Sequence, residues 1–70
     1  MKISSAKDLG RAIRTRRKEL GYTQAYLSEY TGLSTSYISE LENGKETAEL
    51  GKALFIISLL GLDLDISNRG

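Results

Sequence analysis

The stretch Gln24-Ala-Tyr-Leu-Ser-Glu-Tyr-Thr-Gly-Leu-Ser-Thr-Ser-Tyr-Ile-Ser-Glu-Leu-Glu-Asn43 decides the fold. It reads as two short helices, about 24–31 and 35–43, joined at Gly32. Two helices this short cross near a right angle only if a small residue sits where they touch and a residue tolerant of positive φ sits in the turn. Ser28 and Gly32 stand at those two places, and Leu27, Leu33, Ile38 and Leu41 supply an apolar seam.

Working outward, the same punctuation recurs. Gly21, Gly32, Gly44 and Gly61 each follow an apolar-periodic stretch, as a helix C-terminus prefers. Ser5, Thr23, Ser34 and Thr47 stand where a hydroxyl can cap a helix start, and Ser5 alone has an acid, Asp8, three residues on. The pattern predicts four helices, about 6–20, 24–31, 35–43 and 48–60, in a single all-α domain over 1–70. The first places Leu9, Ala12, Ile13 and Leu20 on one face. The last has two apolar stripes, Leu50, Ala53, Leu54, Ile57 and Leu60 on one and Phe55, Ile56 and Leu59 on the other. A helix apolar on two sides wants two partners, and so short a chain has little left to cover the second.

After Gly61 the period changes. Leu62, Leu64 and Ile66 alternate with Asp63 and Asp65, which predicts a short β-strand over about 62–67. A lone strand needs a neighbour, and the simplest is the same segment of a second copy. A frayed tail or one more helical turn is the other reading. The strand expectation makes Phe55, Ile56, Leu59, Leu62, Leu64 and Ile66 the candidate interface of a homodimer.

Composition narrows the function. There is no Cys and no His among 70 residues, so thiolate metal sites, disulfides and the usual neutral-pH base are missing. The expectation is a non-enzymatic protein with no cofactor and no metal. The longest apolar run, Ala53 to Ile57, is far short of a membrane span, and no secretory signal is visible, which predicts a cytoplasmic protein with no membrane partner. Net charge is +1, but residues 1–21 carry seven basic residues against Asp8 and Glu19, while the rest is acidic in balance. That polarity fits either a surface for polyanions or a solvated helix face.

Two charges point inward. Arg17 lies on the face of Leu9, Ile13 and Leu20, and Glu42 lies one turn after Ile38. Inward charges are costly unless paired, so the pattern predicts an Arg17–Glu42 pair between the first and third helices. Independent snorkelling to solvent is the alternative.

The segment GYTQAYLSEYTGLSTSYISELENGK, with Thr23-Gln24, Leu27, Gly32, Ile38, Ser39 and Leu41-Glu42-Asn43-Gly44-Lys45, resembles the helix-turn-helix of the Cro/repressor-like (Xre) family. The likeness covers about residues 6–61. It implies a lambda-repressor-like four-helix domain that binds operator DNA as a dimer, with Arg17 and Glu42 as an interhelix pair. Family members usually carry Ala where this chain has Ser28. The ending LGLDLDISNRG is similar to HipB-type antitoxins, in which a C-terminal strand pairs with the dimer mate. This implies an antitoxin repressor of a toxin–antitoxin operon with a HipA-like kinase as partner. The alternative is a protein-interaction module whose main task is neutralising that kinase.

By match to the family, Ser34, Thr35, Ser36, Ser39 and Glu40 face base edges of double-stranded DNA. Tyr37, Asn43 and Lys45 match positions on the sugar-phosphate chain, Thr23 and Gln24 open a helix whose amides favour phosphate, and Arg17 serves both Glu42 and a phosphate. The third helix carries no Arg or Lys, so bidentate reading of guanine by a cation is absent from it.

Overall fold

A computed structural model describes residues 2–70. It contains α1 (Ala6–Glu19), α2 (Gln24–Thr31), α3 (Thr35–Glu42) and α4 (Leu50–Leu59). Three starts are capped by hydroxyls: Ser5 accepts from the amide of Asp8, Thr23 from that of Tyr26, and Ser34 from that of Tyr37. The Asp8 carboxylate in turn accepts from both the amide and the hydroxyl of Ser4, at 3.1 and 3.0 Å. The helix ends are equally local. After α1, α3 and α4 a glycine amide and the amide that follows it donate back into the last turn, as Gly44 does to Leu41 and Lys45 to Glu40.

The fourth start differs from expectation. Thr47 lies in a turn in which the Ala48 amide donates to the Lys45 carbonyl, so α4 begins only at Leu50, with Glu49 at its N-cap and no side-chain cap. The stripes of α4 also sort differently. Ala53, Ile56, Ile57 and Leu60 join Ile13, Leu27, Ile38 and Leu41 in the core, while Leu50, Leu54, Phe55 and Leu59 stay outside. Ile56 is fully buried within the single chain, so its side chain does not lie on the outer face with Phe55 and Leu59.

The expected C-terminal strand is absent among the described residues, and the fold is four helices alone. Residues 62–70 leave α4 with only the Leu62 amide tied back, to the Ile57 carbonyl at 3.0 Å. The physical reason is a missing ladder. Alternating Leu and Asp suit a half-buried strand, but the segments beside the tail are helices whose own amides and carbonyls are already paired.

Helix α3 packs on both α1 and α2. Its approach to α1 depends on Gly10. A Cβ there would lie 2.6 Å from the Glu42 carbonyl oxygen and would also strike that of Leu41, so only glycine lets the two backbones meet. The turn between α2 and α3 is closed by Gly32, which holds φ 78°, by the Ser28 hydroxyl donating to the Leu33 carbonyl at 2.6 Å, and by Thr31 accepting from the Leu33 amide. Ser28 therefore gives the crossing both small size and a hydrogen bond that an Ala would lack.

Candidate nucleic-acid interface

The contact of α1 with α3 carries a buried ion pair. Arg17 Nε donates to Glu42 Oε2 at 2.7 Å and Nη2 to Oε1 at 2.9 Å, a two-point grip, while Nη1 donates to the Tyr22 carbonyl at 2.7 Å. The two residues are 7% and 5% exposed, and hydrogen bonding to Glu42 raises the Arg17 pKa further above its already high value. Gln24 Nε2 adds a third contact, to Glu42 Oε1 at 3.1 Å. Glu42 thus ties together α1, the first residue of α2 and the end of α3. Arg17 is enclosed by these partners and lies away from the surface, which makes it a brace for the interface.

With its inner side fixed, α3 turns Thr35, Ser36, Glu40 and Asn43 to solvent, with Ser39 half-buried between them. Ser34 caps the helix and is exposed as well. Asn43 Nδ2 approaches the Ser39 hydroxyl at 3.5 Å. Neither α2 nor α3 has an acidic residue in its first turn, so both N-termini keep their partial positive charge open to an external anion. Thr23 is exposed at the first of them and Gln24 half-buried beside it. The assembled face is a row of hydroxyls between two anion-attracting helix starts, a width and chemistry suited to a DNA major groove.

Two expected phosphate contacts are engaged within the chain. Lys45 pairs with Glu40 across the end of α3. The Tyr37 hydroxyl donates to the Glu49 carbonyl at 2.6 Å, and Lys52 sits over the Tyr37 ring at 5.5 Å, so this tyrosine fastens α3 to the start of α4. Burial pushes the Tyr37 phenol above its usual pKa, and the charge of Glu49 adds to the shift.

Sequence reasoning passed over Gly10, although a glycine inside a helix, where it costs about 0.5–1 kcal/mol against Ala, was itself a signal of close packing. It also missed a row of tyrosines along α2 and its entrance. Tyr22 and Tyr26 have ring centroids 4.8 Å apart, and Tyr26 and Tyr30 6.2 Å apart. Their four-residue spacing was legible as one helix face.

A helix-turn-helix whose second helix presents a polar outer row, braced from behind by a buried ion pair, defines the class of DNA-binding transcriptional regulators built on this motif. The Helix-turn-helix family model matches residues 13–67, and the chain belongs to that family. It is 37% identical over 69 residues to the uncharacterized HTH-type transcriptional regulator y4mF of Sinorhizobium fredii, covering 99% of this chain and 91% of that protein. It is 33% identical over 60 residues to the ImmF control region 10 kDa protein of Bacillus phage phi105, covering 86% and 67%. Among solved structures, a HipB–O4 20mer complex superposes with a TM-score of 0.87 at 27% identity over 100% of this chain and 99% of the other. A HipA–HipB–O2–O3 complex gives the same TM-score, identity and coverage.

Proposed function

We propose that the protein is a cytoplasmic repressor that binds a palindromic operator as a homodimer, and that it is the autoregulating antitoxin of a toxin–antitoxin operon. The observation that carries this reading is the exposed row Ser34, Thr35, Ser36, Ser39 and Glu40, held between two helix starts that carry no acid. Full-length likeness to HipB, solved in complex with its operators, supports the operator and antitoxin parts. The homodimer is supported by α4, whose outer face leaves Leu54, Phe55 and Leu59 at 43%, 48% and 37% exposure in a single chain. Beside them a groove of about 340 Å³, lined by Leu54, Ile57, Leu62 and Leu64, receives apolar side chains of the second copy. Hydroxyls discriminate bases weakly, so two half-sites read together supply the specificity that one copy lacks.

The test is a mobility-shift titration with the DNA upstream of the protein's own gene and a shuffled duplex of equal length. The expected result is preferential retardation of the upstream DNA. Equal retardation of both overturns the repressor reading. Leu54→Lys with Phe55→Lys is expected to sediment as a monomer and to lose that preference.

A second reading, a module that chiefly neutralises a HipA-like kinase, is favoured by the likeness to HipB in its complex with HipA. Stable co-purification with a kinase encoded beside the gene, without operator preference, would select it.

A further inference from the structure

Lys7, Arg11, Arg14 and Lys18 recur at four-, three- and four-residue intervals along α1, and all four are exposed. At 100° per residue they fall within an arc of about 60°, and they span about 16 Å of helix. The flank is defined by its neighbours. Gly10, Ile13 and Arg17 are buried against α3, while Arg16 donates to the Leu60 carbonyl at 2.9 Å and so marks the side toward α4. Going round the axis from Arg16 past Arg17 and Gly10, the cations come next, on the α3 side. The backbone of Lys7 abuts the turn that follows α3, where a Cβ on Gly44 would lie 2.8 Å from the Lys7 Cα. The stripe therefore starts one residue from Lys45, at the edge of the α3 face.

The other cations near that face are already engaged. Arg17 is enclosed with Glu42, Lys45 pairs with Glu40, Lys52 with Glu49 and Arg16 with Glu19. Among the described residues, no carboxylate lies within ion-pair distance of Lys7, Arg11, Arg14 or Lys18. Asp8, beside Arg11, is the one acid near the stripe and is bound by Ser4. Like charges three and four residues apart repel along a helix, so in the free protein this arrangement works against α1.

We propose that Lys7, Arg11, Arg14 and Lys18 form a phosphate-binding track on α1 that holds the backbone of the same duplex whose bases α3 faces. The inference rests on the DNA-binding reading above. It supplies the phosphate neutralisation that α3, without Arg or Lys, does not provide. Because phosphates carry no sequence information, the track adds affinity and salt dependence and leaves base preference to α3.

The test compares the full chain with the triple variant Arg11→Gln, Arg14→Gln and Lys18→Gln by fluorescence anisotropy on upstream and shuffled duplexes over a range of salt. The slope of log K against log salt is expected to become shallower by about 2.7, or 0.9 for each phosphate released. The upstream-to-shuffled ratio is expected to stay the same, and the Tm of the free protein to hold or rise. Arg14→Gln alone is expected to shift the slope by about 0.9 and serves if the triple variant folds poorly. An unchanged slope in variants of a chain that still binds duplex overturns the track and leaves the DNA-binding reading intact. No duplex binding by the unaltered chain overturns both. Binding of a second duplex per dimer, lost in the variant, overturns the placement on the same duplex.

Discussion

The guanidinium of Arg17 closes on the carboxylate of Glu42 through two hydrogen bonds of 2.7 and 2.9 Å, with side chains only 8% and 2% exposed. Removing one member leaves the other as a buried, unmatched charge. Glu42→Ala is expected to cost about 3–5 kcal/mol in urea unfolding. Arg17→Met combined with Glu42→Leu is expected to recover much of that loss, since apolar residues of similar volume replace such pairs at little cost. Strictly additive losses would show that the two do not act together.

Two glycines in helices are expected to respond in opposite directions. Gly10→Ala drives a methyl into the carbonyls of Leu41 and Glu42, and overpacking of this kind costs about 1–3 kcal/mol. Gly51→Ala in α4 meets no atom within 4 Å and is expected to stabilise by about 0.5–1 kcal/mol. Thermal unfolding of both variants checks the sign of each.

These contrasts separate what was legible in the sequence from what was not. The caps at Ser5, Thr23 and Ser34 and the turn at Gly32 are local devices, each readable within a few residues. Arg17 and Glu42 were readable because a charge on an apolar face demands a partner. Thr47 misled because its hydroxyl meets the rule for a cap while its backbone is taken by the turn at Lys45–Ala48. In α4 the residues alone do not rank two apolar stripes, and only packing sends Ile56 inward and Leu54 outward. The alternation of Leu62, Leu64 and Ile66 is a periodicity without a ladder, and a strand exists only when another strand takes its hydrogen bonds.

Tyr37→Phe removes the hydrogen bond to the Glu49 carbonyl and is expected to cost about 1 kcal/mol at neutral pH. Folding raises this phenol above its ordinary pKa of 10.0, first through burial and then through Glu49, so the unfolded chain releases the proton first. Its stabilising contribution is complete below about pH 10 and declines as pH rises through the folded value. Stability measured from pH 9 upward should fall more steeply in the unaltered chain than in Tyr37→Phe. Parallel curves would contradict the link.

Exposed groups on α3 are expected to divide by role. Ser36→Ala should reduce the preference for upstream over shuffled DNA by about fivefold, the worth of one net hydrogen bond of about 1 kcal/mol. Lys45→Ala should weaken binding alike on both duplexes and lower the salt slope by about 0.9, as the lysine leaves Glu40 for a phosphate. Anisotropy titrations at several salt concentrations distinguish the two.

The central claim is that α3 reads DNA in the major groove, two copies at a time. Hydroxyl-radical and guanine-methylation footprinting of the upstream DNA test it most directly. The account predicts two protected half-sites with their centres one helical turn, about 34–36 Å, or a multiple of it apart, with protection in the major groove of each. Protection of a single site, or uniform protection without preferred positions, would contradict it.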